Sequence, residues 1–351
     1  MLDFFDQINT NQLSYNISKE FRQKISRLDI GESFAKNQYL IGQSEEGRPI
    51  QAFRFGDGPK KVVLLAGAHS DEPVGPETLR ALVIHFIKFV DEDIDIPLLK
   101  DYTFFLVPHV NPDGEAVNAT WINEMPNIES YLANAFREKP GRDIEFGYPD
   151  MRIENSAVST FMKEFGPFDL YINLHGMAIA EGIMLLIEKH WIDRTETLQS
   201  RFIDIARNND LPLHDHDRDG EKGFQYIGPG FTTTPEGKAM KEHFVNQGDH
   251  EMAAKFHSSS MEYVRSLGGD PLCLVTELPL FLVASNQINN SKPGVPETYL
   301  AFKEKLPQLQ LKAQKGEDIA PLIGEFQIKP LSLRLASRIH LQIIKSALGT
   351  I

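Results

Sequence analysis

The 351-residue sequence predicts an α/β protein whose mainly parallel sheet is covered by helices on both faces. Residues 61–66, 102–107 and 169–174 are continuous apolar runs, which are typical of strands buried on both faces. Residues 76–90 and 155–165 lie between these runs and repeat apolar side chains at helical spacing. Because parallel strands need a long crossover connection, usually a helix, this alternation favours parallel pairing.

The other predicted elements are shorter or lie towards the ends of the chain. Residues 17–28 have helical spacing, and residues 41–50 are typical of a hairpin-like turn between two short strands. Residues 272–275 form a short β-rich run, which we interpret as a fourth buried strand. Residues 298–351 have helical character and contain no cluster of catalytic side-chain types.

Two long connections, residues 141–149 and 213–237, are rich in glycine, proline and charge. In a compact domain such connections are usually functional loops, and we expect that of both. The His-Asp-His-Asp run at 214–217 offers metal-ligand types but has no predicted strand beside it, so we expect a solvated loop there. We predict one catalytic domain over residues 1–351, with its core at about 40–285, a helical N-terminal segment and a helical tail from about 298.

Composition and charge narrow the class of protein. The 36 lysines and arginines against 49 aspartates and glutamates give a net charge of −13, which argues against sequence-independent binding of nucleic acid. Cys273 is the only cysteine, so an internal disulfide or a thiolate metal cluster cannot form and a metal site must use His, Asp and Glu. No apolar run approaches the about 18 residues that cross a bilayer, and residues 1–6 lack the features of a secretion signal. We therefore expect a cytoplasmic protein without a membrane partner.

Polar residues follow the predicted strands at the point where each apolar run ends. His69 and Glu72 follow the first run, an NPDG turn at 111–114 follows the second, His175 follows the third and Glu277 follows the fourth. In open α/β sheets, ligands bind at the carboxyl ends of the strands. The sequence therefore predicts that these side chains meet at one edge of the sheet.

The residue types at this edge are those of a hydrolytic zinc site. Such a site uses three ligands from His, Glu or Asp and leaves one position for water, whose pKa the metal lowers towards about 7. His69 and Glu72 are three residues apart, so one turn can direct both at the same point, and His175 can complete the set from another strand. A separate carboxylate must then move the proton of the attacking water, and Glu277 is the candidate. Taken singly, each residue also fits an ordinary structural role, and it is their joint placement that favours a metal site.

The sequence resembles the zinc carboxypeptidases, the metallopeptidase family of carboxypeptidase A. The matching segments occur in family order over roughly residues 40–285; they are the IG and GRPI pieces of 41–50, GAHSDEPVG at 67–75, VNPDG at 110–114, INLHG at 172–176 and TELP at 276–279. The resemblance implies a mixed, eight-stranded twisted sheet with flanking helices. It also implies one Zn²⁺ per chain, held by His69, Glu72 and His175, with Glu277 as the general base.

The residues with which the family binds its substrate have less direct counterparts in this sequence. Where the family holds the terminal carboxylate of the substrate with an Asn-Arg pair, this chain has Gly-Arg-Asp at 141–143, which makes Arg142 the candidate. The family also uses an upstream arginine to stabilise the oxyanion, and Arg137 is the candidate for that role.

The predicted function is that of a zinc-dependent metallocarboxypeptidase, which hydrolyses the C-terminal bond of a peptide and binds its free carboxylate. Two hydrolytic alternatives use the same metal site. One is an amidase acting on cell-wall peptides, and the other is an N-acyl amino-acid deacylase similar to aspartoacylase or succinylglutamate desuccinylase. A non-catalytic metal-binding protein is the alternative from another class.

Overall fold

The computed structural model describes residues 3–27, 37–92, 94–284 and 294–351. In these residues one mixed sheet of ten strands organises the fold. In chain order the strands are β1 (Gln38–Gln43), β2 (Pro49–Phe55), β3 (Lys60–Ala66), β4 (Tyr102–Val107), β5 (Leu170–Ala180), β6 (Met184–Ile187), β7 (Tyr226–Gly228), β8 (Phe231–Thr233), β9 (Leu272–Leu282) and β10 (Lys329–Pro330).

The sheet is parallel at its centre and antiparallel towards its sides. The strand order is β1-β2-β4-β3-β5-β9-β6-β8-β7, with β10 paired to the far part of β9. The pairs β4-β3, β3-β5 and β5-β9 are parallel, as is β6-β8, whereas the remaining pairs are antiparallel. The mixed α/β class is therefore confirmed. The described part has ten strands rather than the eight that the resemblance implies, and four of the ten are only two to four residues long.

The α-helices surround this sheet. They are α1 (Asp3–Asp6), α2 (Ser18–Arg27), α3 (Val74–Asp91), α4 (Leu98–Asp101), α5 (Pro112–Asn123), α6 (Ile128–Asn134), α7 (Ile153–Phe165), α8 (Glu196–Asn208), α9 (Gly237–Asn246), α10 (His250–Ala253), α11 (Ser260–Ser266), α12 (Glu297–Gln314), α13 (Ala320–Glu325) and α14 (Leu333–Leu348). The helices predicted over 76–90 and 155–165 correspond to α3 and α7. The helix predicted over 17–28 corresponds to α2, and its last residue, Leu28, lies outside the described residues.

Both faces of the central strands are buried, as their continuous apolar runs predict. In β3, Val62 and Leu64 join one apolar cluster, while Val63 and Leu65 join another on the opposite face. Helices α3 and α14 contribute buried side chains to the first cluster, and α7 and α11 contribute to the second. The alternation of side chains along a strand makes a run of apolar residues necessary when both faces are covered.

Within the described ranges, no helix is both long enough and apolar enough to cross a bilayer.

Candidate metal centre and active site

The turn after β3 places His69 and Glu72. It begins at Gly67, whose φ is +73°, and a Cβ at this position would lie 2.5 Å from Nδ1 of His109. Glycine is therefore required both by the left-handed backbone and by the close approach of the imidazole ring. The turn then closes with the amide of Glu72 donating to the carbonyl oxygen of His69 at 3.3 Å. This geometry directs both side chains to the same side of the sheet edge.

His175 and Glu277 lie side by side on the two central parallel strands. They are partners in the register of β5 and β9. The expectation that both follow the ends of their strands is wrong, because β5 and β9 continue to pair as far as Ala180 and Leu282. Since partners in a parallel register share a face of the sheet, the pairing itself sets these two side chains next to one another.

The three predicted metal ligands converge on one point. His69 Nδ1 and His175 Nδ1 lie 3.0 Å apart, and each lies 2.9 Å from an oxygen of Glu72. Among the described residues, this is the one group of three or more His, Cys, Asp or Glu side chains whose ligand atoms all lie within 4.8 Å of one another. Two imidazole nitrogens and one carboxylate are a donor set of catalytic zinc sites, so these residues fit that ion.

A carboxylate stands behind each of the two histidines. Asp143 Oδ1 lies 3.4 Å from His69 Nε2, and Glu145 Oε2 lies 3.4 Å from His175 Nε2. These separations exceed ordinary hydrogen-bond lengths, so the contacts are electrostatic. A carboxylate behind a ligating histidine orients the ring and raises its basicity. The sequence reasoning missed both residues, although they belong to the 141–149 loop that it predicted to be functional.

Glu145 is held firmly in its buried position. Its Oε1 accepts hydrogen bonds from the hydroxyl of Ser260 at 2.7 Å and from the amide of Ser260 at 3.2 Å. Its Oε2 accepts from Nδ2 of Asn173 at 2.8 Å. A buried carboxylate with three donors needs no water, so Glu145 has a fixed place beside His175.

The structure brings Arg137 to the metal centre. Arg137 Nη2 lies 2.9 Å from Glu72 Oε1 and 2.5 Å from His69 Nδ1, while Nη1 lies 3.3 Å from Asp71 Oδ1. The guanidinium thus places a permanent positive charge against two of the three ligand side chains.

Arg142, the other arginine predicted from the sequence, lies elsewhere. Its guanidinium donates to both carboxylate oxygens of Glu45, with Nη1 2.9 Å from Oε1. Its side chain is 55% exposed and does not line the cavity at the metal centre. The structure therefore does not bring Arg142 together with the other predicted site residues, and its role in binding a substrate carboxylate stays a prediction.

Burial and charge shift the pKa values of both histidines. Burial and the Arg137 guanidinium oppose protonation of His69, but the carboxylates of Glu72 and Asp143 outweigh them and raise its pKa well above the usual value. Burial also opposes protonation of His175, and here Glu72 and Glu145 raise the pKa to about 9. Because a ligating imidazole must be deprotonated, metal binding at this site has to displace protons.

The pKa values of the two glutamates of the site shift in opposite directions. Burial alone would raise the pKa of Glu72, but His69 and Arg137 hold it well below its usual value, so Glu72 is ionised. Burial, together with the negative charge of Glu72, raises the pKa of Glu277 to about 7. A carboxylate with a pKa near neutrality can both accept and return a proton, as a general base of hydrolysis must.

A cavity of about 390 Å³ opens from this centre. His69, His175, Glu277 and Arg137 line it at the metal end. Most of the other lining side chains are apolar, among them Phe146, Met184, Leu186, Phe224, Phe244 and Phe256. Both predicted functional loops contribute to the lining, since Phe146 belongs to 141–149 and Phe224 to 213–237. Arg218 and Lys222, also from the second loop, add two positive charges.

The His-Asp-His-Asp run at 214–217 differs in part from the expected solvated loop. His214 is buried, and its Nδ1 lies 2.8 Å from Oε1 of the equally buried Glu181. Asp215 accepts a hydrogen bond from the hydroxyl of Tyr226 at 2.6 Å. Glu181 lies 33 residues before His214 in the chain, which is why the local sequence did not reveal that this histidine is buried.

The fold and the convergent His-Glu-His set define a mixed α/β protein with a candidate metal site. The family model for zinc carboxypeptidases matches residues 30–180. Over these residues the chain is similar to the zinc carboxypeptidase family.

Relatives of known name agree with this assignment. Carboxypeptidase A4 of Mus musculus is 26% identical over 185 residues, which are 46% of this chain and 41% of that protein. An inactive metallocarboxypeptidase of Talaromyces stipitatus is 32% identical over 84 residues, 21% of this chain and 14% of that protein. The chain thus matches well under two thirds of the length of these relatives.

A solved structure supports the fold. The structure of bovine thrombin-activatable fibrinolysis inhibitor, in complex with tick carboxypeptidase inhibitor, aligns with a TM-score of 0.53 at 13% identity. The alignment covers 96% of this chain and 97% of the bovine chain.

Proposed function

We propose that this protein is a zinc-dependent metallocarboxypeptidase that hydrolyses the C-terminal bond of peptides. The observation that supports the proposal most directly is the convergence of His69, Glu72 and His175 within one cavity that Glu277 also lines. The match of residues 30–180 to the family model for zinc carboxypeptidases supports the same reaction class.

In this proposal the metal ligands and Glu277 have separate roles. His69, Glu72 and His175 hold one zinc ion, which acidifies water and polarises the scissile carbonyl when it is bound. Glu277 would take a proton from the attacking water and return it to the departing amine.

Two further features would act on the substrate. Arg137 places its positive charge beside the ligands, where it would stabilise the negative charge that develops on the carbonyl oxygen. The apolar walls of the cavity would exclude water and accept an apolar side chain of the substrate.

One observation favours a second candidate function. A protein of Talaromyces stipitatus that matches part of this chain is an inactive metallocarboxypeptidase. A non-catalytic metal-binding protein would keep the ligand set without turning over a peptide.

The amidase and deacylase alternatives use the same ligands and Glu277, and they differ in the substrate. A cytoplasmic location and the lack of a nucleic-acid partner stay expectations from the sequence.

Comparison of the wild-type protein with Glu277→Gln tests the proposal. Both are loaded with zinc, metal content is measured by mass spectrometry, and the products of peptides with free and amidated C-termini are identified. We expect the two proteins to contain equal amounts of zinc. The rate of hydrolysis is expected to fall about 100-fold or more in the variant, because the proton acceptor is removed while the ligands remain.

A matched control is Glu251→Gln, which changes an exposed glutamate of α10. It is expected to retain wild-type hydrolysis. Equal hydrolysis by wild type and Glu277→Gln would refute the proposed role of Glu277. Zinc binding without hydrolysis of any peptide or acyl amino acid would favour the non-catalytic candidate.

A further inference from the structure

The three cationic side chains that line the cavity differ in how they are paired. Arg137 contacts Glu72 and Asp71, and Lys222 Nζ lies 2.9 Å from Oε1 of Glu221. Within the part of the chain that the structure describes, the guanidinium of Arg218 has neither an ion pair nor a hydrogen bond. Its one specific contact is with the ring of Phe224, whose centre lies 4.3 Å from its central carbon.

The contact with Phe224 orients Arg218 without neutralising it. Phe224 is buried and lines the same cavity. Stacking on an aromatic face leaves the N–H groups of a guanidinium free to donate in its plane. An oriented, unneutralised guanidinium loses little conformational freedom when it binds an anion, so it is a prepared binding group.

The loop that contains Arg218 has a defined shape. Lys222 has a φ of +56°, an unusual left-handed conformation for a residue with a side chain. Gly223 has a φ of +80°, and a Cβ there would lie 2.4 Å from Cβ of Ala239 in α9. The hydrogen bond from Tyr226 to Asp215 at 2.6 Å ties together two points of the loop on either side of Arg218. These constraints place Arg218 and Lys222 at the cavity together.

Charge distinguishes the region of Arg218 from the metal end of the cavity. Asp143, Glu145 and Glu277 all line the cavity and surround the metal centre with carboxylates. Within the described residues no carboxylate pairs with Arg218, so its charge attracts a substrate carboxylate in the cavity.

We propose that Arg218 binds a carboxylate of the substrate in two parallel hydrogen bonds, and that Arg142 does not. This proposal rests on the proposed hydrolytic function and names the anion-binding residue of that site. A planar guanidinium is matched to a carboxylate, and Arg218 lines the cavity whereas Arg142 is bound to Glu45 outside it. The carboxylate is either the free C-terminus of a peptide or an acidic side chain.

Three substrates separate these sources. The first is an N-acylated dipeptide that ends in phenylalanine with a free carboxylate, and the second is its C-terminal amide. The third is an amide whose last residue is glutamate, so that its carboxylate is on the side chain. Wild type, Arg218→Gln and Arg142→Gln are compared on each, and Arg207→Gln, an exposed arginine of α8, is the matched control.

We expect Arg218→Gln to lower kcat/KM about 10- to 100-fold for the substrate with a carboxylate that the site recognises, since a bidentate charge-assisted contact is lost. The same variant is expected to leave the rate on the uncharged amide unchanged. A selective effect on the first substrate identifies the C-terminal carboxylate, and one on the third identifies an acidic side chain. Selective loss in Arg142→Gln, or an equal loss on all three substrates in Arg218→Gln, would overturn the proposal.

A binding measurement separates failure of this proposal from failure of the proposed function. The probes are 3-phenylpropionate and its uncharged amide, titrated by calorimetry against zinc-free wild type and Arg218→Gln. Tighter binding of the acid that Arg218→Gln abolishes supports the proposal even when no substrate is hydrolysed. Equal binding of acid and amide by wild type overturns it, whatever the Glu277→Gln experiment shows. Circular dichroism and thermal unfolding of each variant establish that it is folded.

Discussion

When the pH is lowered from about 7.5 to about 5, wild type is expected to lose about 2 kcal/mol more of its free energy of unfolding than His340→Gln. His340 is fully buried in α14, where its Nε2 lies 3.0 Å from Oγ1 of Thr276 and its Nδ1 lies 3.3 Å from Oγ1 of Thr78. Thr276 directly precedes Glu277 on β9. The ring therefore connects the C-terminal helix to the strand of the proposed general base.

The magnitude follows from the pKa of His340. Burial lowers that pKa to about 3, whereas an exposed histidine of the unfolded chain titrates near about 6.5. Between these values the unfolded chain binds a proton that the folded protein excludes, so stability is lost as pH falls below about 6.5. A pH of 5 lies about 1.5 units below the pKa of this histidine in the unfolded chain. At about 1.36 kcal/mol per unit, this difference lowers the free energy of unfolding by about 2 kcal/mol. The result depends little on the folded value as long as that value lies well below 5.

The assay is denaturant unfolding of wild type and His340→Gln at the two pH values. Glutamine does not titrate at this site, so wild type is expected to lose about 2 kcal/mol more of its free energy of unfolding on acidification than the variant. Ser337→Ala is the matched control, because Ser337 Oγ lies 3.0 Å from Oγ1 of Thr78 in the same buried network and does not titrate. Its cost, about 1 kcal/mol, is expected to be equal at both pH values. Parallel losses in wild type and His340→Gln would refute the reasoning.

Two further predictions concern other buried charges. Glu145→Gln is expected to raise the zinc Kd about 10- to 100-fold, because the negative charge behind His175 is lost; competition with a chromophoric chelator measures this, and an unchanged Kd would contradict that role. Arg80→Met is expected to cost about 3–5 kcal/mol in denaturant unfolding, because Glu77 and Glu115, each 2.6 Å from the buried guanidinium, would be left without it. A cost below about 1 kcal/mol would show that the two carboxylates relax without Arg80.

Much of the fold and the metal centre could be predicted from local patterns. The runs at 61–66 and 102–107 match β3 and β4 closely, because a strand buried on both faces is apolar at nearly every position. His69 and Glu72 could be found because they share one turn directly after a strand. His175 and Glu277 could be found because the sheet edge is a common place for ligands, although their strands extend further than the apolar runs.

The arginines show where local patterns stop being informative. Arg137 and Arg142 belong to the same connection and are both polar loop residues in the sequence. One contacts Glu72 at the metal centre and the other binds Glu45 away from it. Loops have no periodicity from which the direction of a side chain can be inferred, so only the folded chain distinguishes the two.

The sequence by itself determined the α/β class, the central strands and the residue types of a His-Glu-His metal site, since each follows from short patterns: the apolar runs and the polar side chains that come after them. The tertiary structure decided which side chains surround that site. Asp143 and Glu145 stand behind the histidines, and Arg218 lines the cavity, through contacts between segments far apart in the chain. Such contacts are set by the packing of whole elements against one another, and that packing has no signature in a local stretch of sequence.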